Sequence, residues 1–111
     1  MKPVAGIPDK DPELLEMLDR LKKHLAPERI YLFGSRARGE AGADSDYDLL
    51  IVVGSSDLPQ YKRNQRAFSL LRGVAVSKDV VVLTRAEFQE RRQVASSLPA
   101  TVEREGILLY G

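Results

Sequence analysis

Leu14, Leu18, Leu21 and Leu25 recur at helical spacing and predict one apolar stripe on a first helix. Asp11-Pro12-Glu13 supplies its start, with a capping side chain, a proline in the first turn and an acid near the positive end of the helix dipole. Pro27 ends it. Residues 29–33 read as a strand, which Gly34 breaks. Residues 46–53 form the next apolar segment, and both of its faces turn apolar after Asp48, which predicts a central strand covered on both sides. Residues from 59 to about 72 read as a helix with Tyr61, Gln65, Phe68 and Leu71 near one face. A third strand is expected over residues 78–83. Thr84-Arg85-Ala86-Glu87 then fits a capping box that opens another helix. A short helix over 98–105 stops at Gly106, and residues 107–110 are expected to form an edge strand. Residues 1–10, with two prolines and a glycine, read as a loose lead-in.

Composition narrows the field. At 111 residues the chain suits one domain, 1–111, with enough length for a real core. Hydrophobic residues are 43% and charged residues 30%, the balance of a soluble globule. A net charge of +1 provides no global field for nucleic acid or anionic membrane. Lys62, Arg63 and Arg66 form a basic stretch, but at helical spacing they read as a solvated face, so direct nucleic-acid binding is not expected. The chain has no cysteine, which removes disulfides, thiolate zinc sites and cysteine nucleophiles together. No signal peptide or membrane-spanning run is visible, and a cytoplasmic location is expected. The single histidine, His24, cannot build a multi-histidine metal site and reads as a solvated helix residue.

The segment LFGSRARGEAGADSDYDLLIVV holds the chemistry. Gly34 and Gly39 have the spacing of a P-loop, but Glu40-Ala41 stand where its lysine and hydroxyl belong, and a carboxylate there would repel phosphate. Asp44, Asp46 and Asp48 match the first positions of a calcium loop. Leu49 replaces the glycine that such a loop needs at its sixth position, and Ser55 replaces its closing glutamate. A solvated acidic loop neutralised by Arg36 and Arg38 accounts for Asp44 alone. It accounts less well for Asp46 and Asp48, which share a strand face about 7 Å apart and can reach one ion.

Asp79 begins the third strand as Asp46 and Asp48 begin the second. With helix 59–72 as a crossover, those two strands are expected to be parallel neighbours, which brings the three acids to one end of a sheet. The first strand must then run antiparallel for Gly34-Ser35 to reach the same end. The expected fold is α/β (α+β), a small mixed sheet with helices packed against it. Three carboxylates can hold two divalent ions about 4 Å apart, and oxygen-only ligands favour Mg²⁺ or Mn²⁺. Gly34 lets the backbone approach a ligand closely, and a helix after it would aim N–H groups at a phosphate chain, with the Ser35 hydroxyl beside them. These parts describe a site for a metal-bound nucleoside triphosphate.

Gly34-Ser35, ten intervening residues and Asp46-x-Asp48, followed by KDVVVLT with Asp79, resemble the signature of the minimal nucleotidyltransferases, the MNT branch of the DNA polymerase β-like superfamily. The resemblance runs from the leading helix to EGILLYG. It implies the polymerase β-like core, two Mg²⁺ ions and ATP as substrate. By position, Asp46 and Asp48 would bind both metals and Asp79 would complete one site and help activate the attacking hydroxyl. Gly34 and Ser35 would hold the β- and γ-phosphates, and Arg38 would touch phosphate or brace the acidic cluster. Larger relatives carry a second domain for the acceptor, so here the acceptor or its binding surface must come from another chain, as a homo- or hetero-oligomer. The resemblance further implies a HEPN-like helical partner, an RNase-type toxin, whose tyrosine receives AMP, making this chain an antitoxin. Two alternatives stay open: an antibiotic-type nucleotidyltransferase with a small hydroxylated substrate at an oligomer interface, and a non-catalytic module that neutralises its partner by contact.

Overall fold

The computed structural model describes residues 11–40, 42 and 45–111. The expected lead-in over 1–10 and the reading of Asp44 fall outside these residues. Helix α1, Pro12–Leu25, starts as its sequence dictates: the Asp11 side chain accepts from the Leu14 N–H at 3.1 Å. It ends at Ala26, which takes a left-handed conformation ahead of Pro27. Its stripe buries Leu14, Leu18 and Leu21, together with Met17, while Leu25 is only partly covered. Strand β1, Arg29–Phe33, follows, and then a four-residue helix α2, Ser35–Arg38. Strand β2, Tyr47–Val53, helix α3, Gln60–Leu70, and strand β3, Lys78–Thr84, form a parallel crossover unit. Helix α4, Arg85–Arg91, opens on the full capping box of Thr84 and Glu87. Helix α5, Leu98–Glu105, leads to β4, Ile107–Tyr110.

The sheet order is β3-β2-β1-β4, with β1 antiparallel to both β2 and β4. This is the mixed sheet expected, with β2 inside it and both of its faces covered. Because strand side chains alternate, one face of Ile30, Leu32, Leu49 and Ile51 packs on α1 and α3, and the other, with Tyr31, Leu50, Val52 and Leu83, packs on α4 and α5. Tyr31 stacks on Phe88 across the second layer, ring centroids 5.7 Å apart. Among the described residues no helix is long and apolar enough to cross a membrane.

The buried side of α3 differs from the expected one. Ala67 and Leu71 are buried, and the third member of their i, i+4, i+8 row is Arg63, only 7% exposed. Tyr61 and Phe68, read as sharing a face with Leu71, are 61% and 50% exposed. Of the basic stretch read as solvated, Arg63 is therefore the exception. Its guanidinium lies against the sheet, donating to Leu58 O and Val82 O at 3.0 Å and pairing with both carboxylate oxygens of Glu87 at 2.8 and 2.9 Å. A charge so placed needs this full set of partners. That requirement, rather than aromatic burial, fixes the rotation of α3.

Candidate active site

Asp48 lies at the centre of the predicted constellation. It is the second residue of β2, opposite Phe33 of β1 on one side and Asp79 of β3 on the other. Asp46 precedes the strand by one residue and, two positions from Asp48, belongs to the same side-chain face. Asp48 is partly buried, whereas Asp46 and Asp79 are exposed. Burial pushes the Asp48 carboxyl above the usual range, the negative charges of Asp79 and Asp46 push it further, and Arg38 acts weakly the other way. The chain has thus crowded like charges around one carboxyl, an arrangement that a cation would relieve.

The donor set fits a hard divalent ion. All three side chains offer oxygen only, and no cysteine is available to favour a softer metal. Among the described residues no group of three or more acidic, histidine or cysteine side chains is already gathered as a metal cage. Magnesium rarely needs one, since it takes one or two carboxylates and completes its octahedron with water and substrate phosphate. The Asp46–Asp48 and Asp48–Asp79 pairs meet that requirement.

Gly34 ends β1 beside this carboxylate with φ +76°, a backbone that side chains rarely adopt. A Cβ there would lie inside the van der Waals surface of Asp48 Oδ2 and 3.2 Å from Asp48 Cγ. Gly34 is also the N-cap of α2, with no side chain to cap it; the Ala37 and Arg38 N–H groups donate to the Gly34 carbonyl at 3.1 and 3.2 Å, which leaves those of Ser35 and Arg36 without a backbone acceptor among the described residues. Gly34→Ala should therefore keep the fold by circular dichroism yet lower activity by about 10-fold or more, since the methyl group must displace Asp48 and bear the strain of ~1–3 kcal/mol of a backbone (φ +76°, ψ −158°) that is essentially reserved for glycine. Unchanged transfer would separate the turn from the site.

The structure brings Gly34, Ser35, Asp46, Asp48 and Asp79 to one end of the sheet. Arg38 is at the margin: 41% exposed, it pairs with Glu40 at 2.9 Å and Glu105 at 3.9 Å. Neither partner belongs to the acidic cluster, on which Arg38 acts only through its charge at Asp48. Sequence reading missed a strap behind the site. Arg36 stacks on the Tyr47 ring at 3.9 Å and donates from Nε to Ser45 O at 3.0 Å, and the Tyr47 hydroxyl donates to Asp11 Oδ2 at 2.6 Å. Burial and the Asp11 carboxylate push the Tyr47 phenol up to about 12, so it remains a donor throughout the physiological range. The strap ties the start of α1 to the segment that delivers Asp46 and Asp48. Only the tyrosine between the two acids hinted at it, because Asp11 is remote in sequence.

Comparison with known proteins adds the family. The model of the nucleotidyltransferase domain family matches residues 13–108. A protein of Methanocaldococcus jannaschii, provisionally named a protein adenylyltransferase, is 26% identical over 101 residues, covering 86% of this chain and 97% of its own. A toxin–antitoxin complex solved with AMP-PNP contains a chain similar in fold, with a TM-score of 0.52 and 20% identity, covering 87% of this chain and 72% of that one. A crystal structure from Sulfolobus solfataricus, provisionally described as a nucleotidyltransferase, aligns with a TM-score of 0.49 and 26% identity over 77% of this chain and 85% of its own.

Proposed function

The chain belongs to the nucleotidyltransferase domain family, and on that premise we propose that it transfers AMP from ATP to a hydroxyl of a partner protein. The observation that carries this reading is the placement of Asp48 between the Gly34 turn and Asp79. The fold similarity to a chain of a toxin–antitoxin complex supports a toxin as that partner, and the name of the M. jannaschii relative supports a protein acceptor. A tyrosine of a HEPN-like helical toxin is the acceptor we expect, which would make this chain an antitoxin that acts by adenylylation in the cytoplasm. The cleft beside Asp79 is open to solvent, so a bulky acceptor that excludes water as it docks suits this chain better than a small free one.

Each residue has a task. Asp46 and Asp48 would hold divalent cations, Mg²⁺ or Mn²⁺, and two such ions would supply charge neutralisation for the triphosphate and polarise its α-phosphorus. The Ser35 and Arg36 N–H groups and the Ser35 hydroxyl hold the β- and γ-phosphates beside Gly34. Asp79 would complete one cation position with Asp48 and help activate the acceptor hydroxyl, taking its proton as the oxygen attacks. One oxygen–phosphorus bond forms at the α-phosphate, the bond to the bridging oxygen of pyrophosphate breaks, and pyrophosphate leaves with its electron pair. Intact-mass spectrometry of a co-expressed partner, with and without Mg-ATP, tests this directly: the partner should gain whole AMP units. A partner neutralised at unchanged mass would instead show inhibition by contact. Asp79→Asn should lower kcat by about 100-fold while leaving the KM for ATP nearly unchanged, because its work is on the attacking oxygen. A normal kcat with weakened ATP binding would reassign it to the triphosphate.

A further inference from the structure

We infer that the outer edge of β3 is the docking site for an extended peptide segment of the acceptor protein, which pairs main chain to main chain at Lys78 and Val80 and turns its hydroxyl residue toward Asp79. The inference rests on the reading of the site given above and names how its second substrate is bound.

In-line displacement requires the attacking oxygen to enter opposite the leaving group. The leaving pyrophosphate belongs at the Gly34–Ser35 turn, which follows β1, and the reacting phosphate belongs over Asp48 on β2. The sheet order β3-β2-β1 then puts the acceptor on the β3 side. There β3 is the edge strand, and a cleft of about 480 Å³ opens along it beside Asp79. Its volume falls in the roughly 300–1,000 Å³ range of ligand-binding pockets.

The edge is capped along half of its length; along the other half its peptide groups have no partner among the described residues, with Lys78 half-buried and Val80 4% exposed. The Val82 N–H donates to Asn64 Oδ1 at 2.8 Å, the Val82 carbonyl accepts from Arg63 at 3.0 Å, and the Thr84 N–H donates to Glu87 at 2.9 Å. Because peptide groups alternate sides along a strand, Lys78 and Val80 direct theirs outward as well. No described residue caps either of them. Unpaired edge groups are a template for an added strand unless they are blunted, and here the blunting stops where the cleft begins.

A strand added there would run about 4.8 Å from β3. Its alternate side chains would face Asp79 on one side of the sheet and α3 on the other. On the α3 side they meet Phe68, 50% exposed, with Lys78 Nζ 5.8 Å from its ring centroid, and Arg72, which forms no ion pair among the described residues. An apolar and an acidic neighbour flanking the target hydroxyl complement that lining.

The test is amide NMR of the whole chain with two ligands. Mg²⁺ with α,β-methylene-ATP, which cannot transfer, should move the Gly34, Ser35 and Asp48 amides. A blocked tripeptide with tyrosine at its centre, leucine before it and glutamate after it should move the Lys78 and Val80 amides and the Asn64 and Gln65 side-chain amides. Phe68→Ala and Arg72→Glu should each weaken tripeptide binding about 3-fold or more without affecting the nucleotide. Failure of the nucleotide to move the turn counts against the active-site reading alone. A nucleotide response at Gly34 and Ser35 with no tripeptide response at Lys78 and Val80 overturns the docking site. Movement of the cleft amides by the nucleotide also overturns it, assigning the cleft to the nucleoside.

Discussion

Asp48→Asn is expected to abolish nucleotidyl transfer, by about 1,000-fold, while the metal-free protein melts at a slightly higher temperature than wild type. The loss follows from removing the carboxylate proposed to serve both cation positions, since metal-ion stabilisation of transferring phosphate is worth several kcal/mol and ~4 kcal/mol is about 1,000-fold. The gain follows from the same charge. The native Asp48 carboxyl is raised above its ordinary 3.8 by burial and by its acidic neighbours, so the folded chain binds more protons than the unfolded one just above that pH. Stability therefore falls as pH rises through this window, and the ionised side chain remains a liability at neutral pH. Solvent screening at this partly exposed group keeps the gain small. Pyrophosphate release and thermal melting on the same preparation give both numbers. A variant that melts far below wild type would make Asp48 a structural residue; one that still transfers would move the chemistry elsewhere.

Glu87→Gln should be the most destabilising single change among the polar residues considered, costing about 3 kcal/mol and lowering Tm by 10 °C or more. Arg63 is 7% exposed and Glu87 28% exposed, and the two are joined by a two-point ion pair. Neutralising the acid leaves a buried guanidinium with two carbonyl oxygens and no counter-charge, and it weakens the cap on α4. The Arg63 guanidinium and the Thr84 N–H hold the Glu87 carboxyl at about 2, against an ordinary 4.5. A depressed carboxyl stabilises the fold fully above pH 4.5, and this contribution disappears as pH falls toward 2. Wild type should therefore lose stability over that interval more steeply than Glu87→Gln does. Equal melting temperatures at pH 7 would show that the pair contributes nothing net.

The elements were legible where local chemistry punctuates the chain. Asp11-Pro12, Pro27, the Thr84–Glu87 capping box and Gly106 each mark a boundary, and the structure observes all four. The topology followed from chemistry as well: Gly34 had to reach Asp48, which demanded an antiparallel β1, and the α3 crossover allowed a parallel β3. The rotation of α3 was not legible. A buried arginine looks like a surface residue until its partner is known, and Glu87 lies 24 positions away. The strap from Asp11 through Tyr47 to Arg36 escaped for the same reason, since contacts distant in sequence leave no local period. The carboxylates stood out because three like charges gather at the starts of two neighbouring strands, and crowding of that kind points to a candidate site.

Isothermal titration of ATP into wild type and into the Asp46→Asn, Asp48→Asn double variant, each with Mg²⁺ and with a chelator, tests the site most directly. Wild type should bind ATP with Mg²⁺ and lose most of that affinity in chelator, and the double variant should bind poorly in both. Magnesium-dependent ATP affinity that survives in the double variant would contradict the assignment of Asp46 and Asp48 as the cation-binding pair.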